Sequence, residues 1–444
     1  MLYKVRIYFC FLLNGIVCLP AVDSTAAPPS PEQIQILEKW VAQETESLVA
    51  NYVHLHTHPE VSFAEKETAA FLAKLWTTAG FQVTEGVGGT GVVAVLKNGK
   101  GPTVMLRTDL DALPVTEKTE LPYASTVQTK TEDGTPTGVM HACGHDLHMT
   151  AITGAARFLA AHRQMWQGTL MLIGQPAEER GSGALAMLKD GLFTRFSKPD
   201  YALALHVESA TPAGTIGVRS GYILANVDSV DIEVIGRGGH GASPENTIDP
   251  ILQAAELVMS LQAIVSREIK PTEPAVITVG SIHGGTKHNI IGDRCHLQVT
   301  VRSYTPEVRK LLLDAIQRRA KGIAATYGAP EPEIKISEGT PALENDRGLT
   351  ERLIKTFQQT LGPQRVQAAE QVMGGEDFSQ YGLAGVPILM YRLGVIAPER
   401  LERFKLSHQP LPSLHSAYFY PDLEPSLETG IVSMTAAAID LMSP

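Results

Sequence analysis

Short apolar runs and amphipathic segments alternate along the first half of the chain, from about position 31 to 221. Apolar runs typical of buried strands occur at Thr103–Arg107, Gly168–Ile173 and Tyr201–Leu205. Segments with helical periodicity, such as Thr150–His162 and Gly183–Asp190, separate them. Strands that alternate with helices predict an α/β fold with a largely parallel, doubly wound sheet, in which ligands gather at the carboxyl ends of the strands.

The pattern changes in the middle of the chain. It predicts a strand at 229–235, a helix at 250–269, strands at 275–282 and 294–304, a helix at 306–327 and a strand at 333–337. The order β-α-β-β-α-β is that of a ferredoxin-like unit. We therefore predict an inserted domain at 225–340, which interrupts a first domain made of residues 30–224 and 341–444.

The N-terminus has the layout of a secretory signal peptide. Lys4 and Arg6 precede the apolar run Ile7–Leu19, and small residues follow at Ser24–Ala27. The run is short for a membrane anchor, which is the alternative, and no small residue precedes Cys18 as a lipoprotein site requires. We expect residues 1–27 to be removed from a secreted or periplasmic protein that has no membrane association afterwards.

Composition and charge exclude some classes of protein. The 444 residues are 44% hydrophobic and 19% charged, which is typical of a globular chain. The formal net charge of −10 argues against a nucleic-acid partner. Removal of the signal would leave only Cys143 and Cys295, too few for a disulfide framework. Cys295 lies in an alternating strand pattern that favours a core position.

Chemically active side chains follow three successive predicted strands. Asp109 and Asp111 follow the first, Glu178 and Glu179 the second, and His206 the third. Cys143 and His145 stand at the entrance of a helix between them. Because the carboxyl ends of parallel strands meet at one edge, these groups predict a single shared site. Thiolate and imidazole ligands suit zinc or another late first-row divalent metal better than calcium or magnesium.

The adjacent pair Glu178 and Glu179 suggests a division of roles. On an irregular turn, one carboxylate can bind a metal while its neighbour accepts a proton from activated water. Two solvated glutamates at the start of a helix are the alternative, which the buried strand before them makes less favourable.

Six sequence motifs resemble those of the M20 metallopeptidase and amidohydrolase family, in the branch of hippurate hydrolases, N-acyl-amino-acid amidohydrolases and auxin-conjugate hydrolases. The resemblance implies a zinc-peptidase-like catalytic domain with an inserted dimerisation and lid domain. The motifs occur in the family's order, at Arg107–Pro114, His141–Asp146, Gln175–Glu179, Gly236–Pro244, Gly374–Phe378 and Leu414–Ser416.

The resemblance also implies two divalent metal ions per subunit, zinc or manganese, with cobalt or nickel as further options. Glu178 matches the general base, and Asp111 matches an acid that orients a ligand. Asp109 stands where other branches carry a histidine ligand, and we leave it out of the metal set. The residues that match the metal ligands are Cys143, His145, Glu179, His206 and His415.

In the inserted domain, the resemblance makes His240 a hydrogen-bond donor to the oxyanion, reaching the metals from the partner subunit of a homodimer. Asn289 and Arg302 are possible contacts of the substrate carboxylate. The trio His54, His56 and His58 has metal-like spacing, but the corresponding family segment has no catalytic role.

These observations predict a metal-dependent hydrolase that cleaves the amide bond of small N-acyl amino acids. A dipeptidase or carboxypeptidase of the same fold is an alternative. Two other classes stay open from the residues: a cysteine hydrolase with Cys143 as nucleophile, and a non-catalytic metal-binding module.

Overall fold

The computed structural model describes residues 27–131 and 133–443, so the predicted signal peptide lies outside the described residues apart from Ala27. The α-helices are α1 (Pro31–Thr57), α2 (Lys66–Thr78), α3 (His145–Ala161), α4 (Gly183–Lys189), α5 (Leu192–Arg195), α6 (Pro250–Arg267), α7 (Pro306–Thr326), α8 (Arg347–Leu361), α9 (Ser379–Leu383), α10 (Pro398–Ser407) and α11 (Leu423–Met442). Among the described residues, no helix is both long and apolar enough to cross a membrane.

The strands form one large sheet, one smaller sheet and three short ladders. Their bounds are β1 (Gln82–Val87), β2 (Gly91–Asn98), β3 (Thr103–Asp109), β4 (Gln128–Lys130), β5 (Pro136–Gly138), β6 (Gly168–Gln175), β7 (Tyr201–Pro212), β8 (Ile216–Val218), β9 (Gly221–Leu224), β10 (Asn226–Ile235), β11 (Gly239–His240), β12 (Ala275–Gly284), β13 (Ile290–Ile291), β14 (Arg294–Ser303), β15 (Glu333–Glu338), β16 (Leu343–Asn345), β17 (Val366–Ala368) and β18 (Ile388–Ile396).

The large sheet has eight strands in the order β1-β2-β6-β3-β7-β18-β8-β17. Its four central strands, β6, β3, β7 and β18, are parallel. The next strand on each side is antiparallel, since β2 pairs with β6 and β8 pairs with β18 in that direction. One face packs on α1, α2, α3, α8 and α11, and the other packs on α4, α5 and α9. Because both faces are covered, the central strands are buried apolar runs, as the sequence predicted.

The inserted unit follows the predicted order β10-α6-β12-β14-α7-β15. Its four strands form an antiparallel sheet in the order β12-β14-β10-β15, and α6 and α7 cover it with a separate apolar core that contains Cys295. Next to this unit, β9 pairs with β16 at the junction with the large sheet. The fold class is therefore confirmed: a doubly wound α/β unit with a ferredoxin-like insertion.

Two predicted boundaries were wrong near the functional residues. Strand β7 continues to Pro212 rather than ending at Leu205, because β18 pairs with it over this length. His206 therefore lies inside the strand and does not cap it. Helix α3 begins at His145 rather than Thr150. Its first turn contains buried polar residues, which obscured the helical pattern in the sequence.

Candidate metal centre

Asp111 is the organising residue of the candidate site. It follows β3 and is fully buried. Its carboxylate accepts hydrogen bonds from the backbone N–H groups of Glu178 and Glu179 at 3.1 and 3.0 Å. Its backbone carbonyl accepts a 2.7 Å bond from Nδ1 of His145. Asp111 thus fixes residues from two other elements, in agreement with its predicted orienting role.

The structure brings the five predicted ligands together. These ligands belong to three overlapping groups of three residues. Within each group, the potential ligand atoms lie within 4.8 Å of one another. Sγ of Cys143 lies 3.6 Å from Nε2 of His206. Nε2 of His415 lies 3.5 Å from Oε1 of Glu179. The three groups are Cys143, His145 and His206; Cys143, Glu179 and His415; and His145, Glu178 and Glu179.

Hydrogen bonds fix which imidazole nitrogen is available. Nδ1 of His145 donates to the Asp111 carbonyl, and Nδ1 of His206 donates to the Val207 carbonyl at 2.9 Å. Because a carbonyl only accepts, Nδ1 carries a proton in each ring, and Nε2 is the nitrogen left to bind a metal. Nε2 of His145 and Oε1 of Glu179 are buried without a hydrogen-bond partner among the described residues. Orphaned buried acceptors facing one another fit a bound cation.

Charge at the site also favours a cation. Burial, followed by the nearby Glu179 and Glu178, raises the pKa of the Cys143 thiol well above its usual value. Burial is also the main cause that raises the pKa of Glu179 to about 7, although His145 opposes it. Burial and neighbouring carboxylates therefore disfavour the deprotonated forms of Cys143 and Glu179. Divalent cations would reverse this cost by stabilising the deprotonated ligands.

Glu178 stands beside the ligands on a strained turn. It opens a single-turn 3₁₀-helix, and its carboxylate lies 3.9 Å from Nε2 of His145. The preceding Ala177 has a left-handed φ of 48°, an uncommon conformation for a residue with a side chain. Burial, and then Glu376 and Glu179, raise the pKa of Glu178 well above its usual value. This placement suits a proton acceptor next to a metal centre.

Asp109 and His148 are close to the centre but are already bonded. Asp109 accepts from Arg107 at 2.8 Å and from Nδ1 of His148 at 2.7 Å. Nε2 of His148 accepts the backbone N–H of Val207 at 2.9 Å. Both His148 nitrogens are bonded, so we do not count the neighbouring group of Asp109, His145 and His148 as a further ligand set. His148 supports the centre through Asp109, whereas neither ring nitrogen of His141 has a hydrogen-bond partner among the described residues.

The predicted residues of the inserted unit bond to groups outside the candidate ligand set. His240 is exposed on β11, and its Nδ1 accepts the N–H of Ala242 at 3.0 Å. Asn289 lies next to it, because the Asn289 carbonyl accepts the N–H of Gly241 at 2.9 Å. In the described part of the chain, His240 makes no hydrogen bond to a candidate ligand. Nη1 of Arg302 donates to the Met373 carbonyl at 2.6 Å.

Sequence reasoning missed several supporting residues. His56, one of the trio expected to have no metal role, is buried and bonds to Asp146 at 2.7 Å and Glu117 at 3.1 Å. The buried Arg107 donates a 2.9 Å hydrogen bond to Glu376, one of the carboxylates that raise the pKa of Glu178. In the sequence, Arg107 belongs to a motif and His56 belongs to an evenly spaced trio. Neither pattern says what a side chain contacts. Arg392 had a clearer signal, a charge inside the apolar run Ile388–Ile396.

Comparisons with known proteins agree with this geometry. The sequence profile of the Peptidase family M20/M25/M40 matches residues 105–438. The chain is 42% identical over 299 residues to a hippurate hydrolase of Campylobacter jejuni, which covers 66% of this chain and 74% of that protein. It is 36% identical over 353 residues to thermostable carboxypeptidase 1 of Saccharolobus solfataricus, covering 78% and 84%.

A solved structure is similar over nearly the whole chain. The Bacillus subtilis YXEP protein, described as a dinuclear metal-binding peptidase of the M20 family, superposes with a TM-score of 0.74 at 30% identity. The similarity covers 92% of this chain and 99% of that one.

Proposed function

The chain belongs to the peptidase M20/M25/M40 family and is a metallo-amidohydrolase, and from this premise we propose that it hydrolyses the amide bond of N-acyl amino acids. The observation that carries the proposal is the meeting of five ligand side chains beside Glu178. The relative named hippurate hydrolase supports this substrate class.

We further propose that two divalent ions are held by Cys143, His145, Glu179, His206 and His415, with zinc or manganese as the leading metals and cobalt or nickel as further options. Nε2 of His145 and Oε1 of Glu179, which have no hydrogen-bond partner among the described residues, support this set. When bound, the ions supply Lewis acidity, which lowers the pKa of water and polarises a carbonyl.

The protein residues would divide the proton transfers between them. Glu178 accepts the proton of the attacking water, whose oxygen forms the new bond to the acyl carbon. Glu178 then delivers that proton to the amine nitrogen as the carbon–nitrogen bond breaks. The Asp111 carboxylate keeps Glu178 in place by accepting a hydrogen bond from the backbone N–H of Glu178. His240 would donate a hydrogen bond to the oxyanion.

Because His240 is exposed and makes no hydrogen bond to a candidate ligand among the described residues, we propose that it acts in a homodimer formed through the inserted unit. Strand β12 is an edge of the smaller sheet. Exposed apolar residues, Ile282 on β12 and Met259 and Leu252 on α6, support pairing on this side. We also propose that residues 1–27 direct export to a secreted or periplasmic location, on the layout of that segment.

One screen tests the substrate class and the metal together. The metal-free protein is loaded with zinc, manganese, cobalt or nickel and assayed on benzoyl, acetyl and longer-chain acyl amino acids. We expect turnover that a chelator abolishes and added metal restores. A preference for dipeptides over all N-acyl amino acids would favour the carboxypeptidase or dipeptidase alternative, which the relative from Saccharolobus solfataricus supports.

The cysteine-hydrolase alternative has its own test. A metal-bound Cys143 thiolate resists alkylation, whereas a nucleophilic thiolate reacts readily. We expect alkylation of Cys143 only after chelation, and reduced metal content in Cys143→Ser. Rapid alkylation of the fully metal-loaded enzyme without metal loss would favour the nucleophile. Cys295 is the buried internal comparison, outside the metal centre.

A further inference from the structure

Arg392 is a buried cation that the mechanism above does not use. It is the only charged residue of β18, and it is 7% exposed. Its Nη2 has no hydrogen-bond partner among the described residues. A buried guanidinium nitrogen without a hydrogen-bond partner is costly, because it loses hydration without gaining a bond. A partner from outside the chain would remove that cost.

The strand register places Arg392 beside the metal centre. Arg392 pairs with His206 in the parallel ladder between β18 and β7. Residues in register on neighbouring strands project to the same face, at a strand separation of about 4.8 Å. The packing agrees, because Tyr391 and Leu393 belong to the core on one face of the sheet and Met390 belongs to the core on the other.

Charged and ionisable side chains surround Arg392. Burial lowers the pKa of Arg392, while Glu208, Glu376, Cys143 and Tyr304 act in the opposite direction and are therefore its charged or ionisable neighbours. Glu376 is already engaged, since its Oε1 accepts bonds from Arg107 and from the N–H of Phe378.

We propose that Arg392 binds a carboxylate of the substrate and so helps to select N-acyl amino acids. The inference rests on the proposed function and deepens it. The planar fork of arginine matches the two oxygens of a carboxylate. In an N-acyl amino acid the α-carboxylate is only a few bonds from the scissile carbonyl, which fits a group one strand away from His206. A carboxylate on the acyl half is the second source of the same chemistry.

Matched substrates test the inference. For N-benzoylglycine, we expect Arg392→Met to lower kcat/KM by about 10- to 100-fold, the range for a lost hydrogen bond to a charged group. Arg392→Lys should retain part of the activity. N-benzoylglycinamide, which lacks the carboxylate, should be cleaved at the same rate by all three proteins. A loss confined to N-succinyl amino acid amides would assign the carboxylate to the acyl half.

Arg219→Met is the control, because the Arg219 guanidinium already donates to the carbonyls of Tyr222 and Ala369. We expect no change in kcat/KM for this variant. Metal content and thermal unfolding of each variant separate a binding defect from misfolding or metal loss. A fall in metal content that accounts for the whole loss of activity would overturn the inference.

A binding measurement keeps this test separate from that of the proposed function. Calorimetric titration of N-benzoylglycine into metal-loaded Glu178→Gln, with and without Arg392→Met, gives Kd without turnover. We expect a Kd about 10- to 100-fold weaker when Arg392 is replaced. Equal Kd values, or no binding to either protein, overturn the inference. A Kd difference with no wild-type turnover on any N-acyl amino acid would instead reject the proposed function alone.

Discussion

The metal centre and the loop that carries His240 are built in opposite ways. At the metal centre, Asp111 and His145 are fully buried, and their orientations are fixed by bonds between separate elements. His240 is exposed, and its ring contacts a backbone N–H two residues away. One region is organised within the chain, whereas the other has only local support.

The contrast shows which part of the candidate site a single chain assembles. Central parallel strands bring ligands from distant sequence positions to one edge, so folding alone assembles that half. The loop is held by the two-residue ladder between β11 and β13, in which His240 pairs with Ile290. His240 is exposed there and makes no hydrogen bond to a candidate ligand among the described residues. Our proposal for His240 therefore requires a second subunit or a domain movement.

The largest expected effect tests the organised half. Glu178→Gln should lower kcat by about 10²- to 10⁴-fold, the usual contribution of a positioned base, while retaining metal. Its neighbour provides the contrast, because Glu179→Gln removes a predicted ligand and should lose metal as well. Elemental analysis and kinetics on the same samples distinguish the two roles. Wild-type turnover in Glu178→Gln would reject it as the base.

The next effect tests the exposed loop. His240→Ala should lower kcat by about 10²- to 10³-fold, as expected for one lost oxyanion donor, with metal content and thermal stability unchanged. The control is His296→Ala on the same unit, whose ring pairs with Asp231 on the surface. Activity in His240→Ala close to that of the His296 variant would show that the loop takes no part in catalysis.

Mixing Glu178→Gln with His240→Ala tests whether His240 acts on the metals of the partner subunit. If His240 acts on the partner's metals, a heterodimer of Glu178→Gln and His240→Ala has one site with both defects and one intact site. Random exchange should then restore about a quarter of wild-type activity, since half the dimers are mixed and half of their sites are intact. Failure to recover activity despite verified exchange would place His240 on its own chain's metals or outside catalysis.

The smallest effect concerns support within the metal centre. Burial lowers the pKa of His56, but hydrogen bonds to Asp146 and Glu117 raise it to about 9, above the ordinary value of 6.5. A raised folded-state pKa stabilises the protein fully below pH 6.5, and this contribution is lost as the pH rises through about 9. His56→Gln should therefore lower the free energy of unfolding by about 1–3 kcal/mol at pH 6.

Thermal unfolding of the metal-free protein between about pH 6 and 9.5 checks this pH dependence. The difference in Tm between wild type and His56→Gln should shrink toward high pH. His58→Gln is the control from the same helix end, because its exposed ring bonds only to Thr57 and the His54 carbonyl. A Tm difference that does not vary with pH would contradict the charged state of His56.

Much of the candidate site was predictable because its chemistry follows strand ends. Glu178 and Glu179 follow a buried strand, and their side chains lie where that position indicates. His206 was identified although the strand end was misplaced, because alternation within β7 still directs it to the correct edge of the sheet. His415 was accessible only through family resemblance. Its loop is joined to the centre by a hydrogen bond from its N–H to the Ala142 carbonyl, a contact that no local pattern encodes.

Hydrophobic periodicity and motif order are local properties of the chain, and they were enough to predict the fold class, the inserted unit and, with the family resemblance, the candidate metal ligands. Which polar groups near the centre are already bonded could be read only from the folded structure. Asp109 is bonded to Arg107 and His148, His56 supports Asp146, and Nη2 of Arg392 lacks a partner among the described residues. These states depend on contacts between residues far apart in sequence, whose distances are set by strand register and packing.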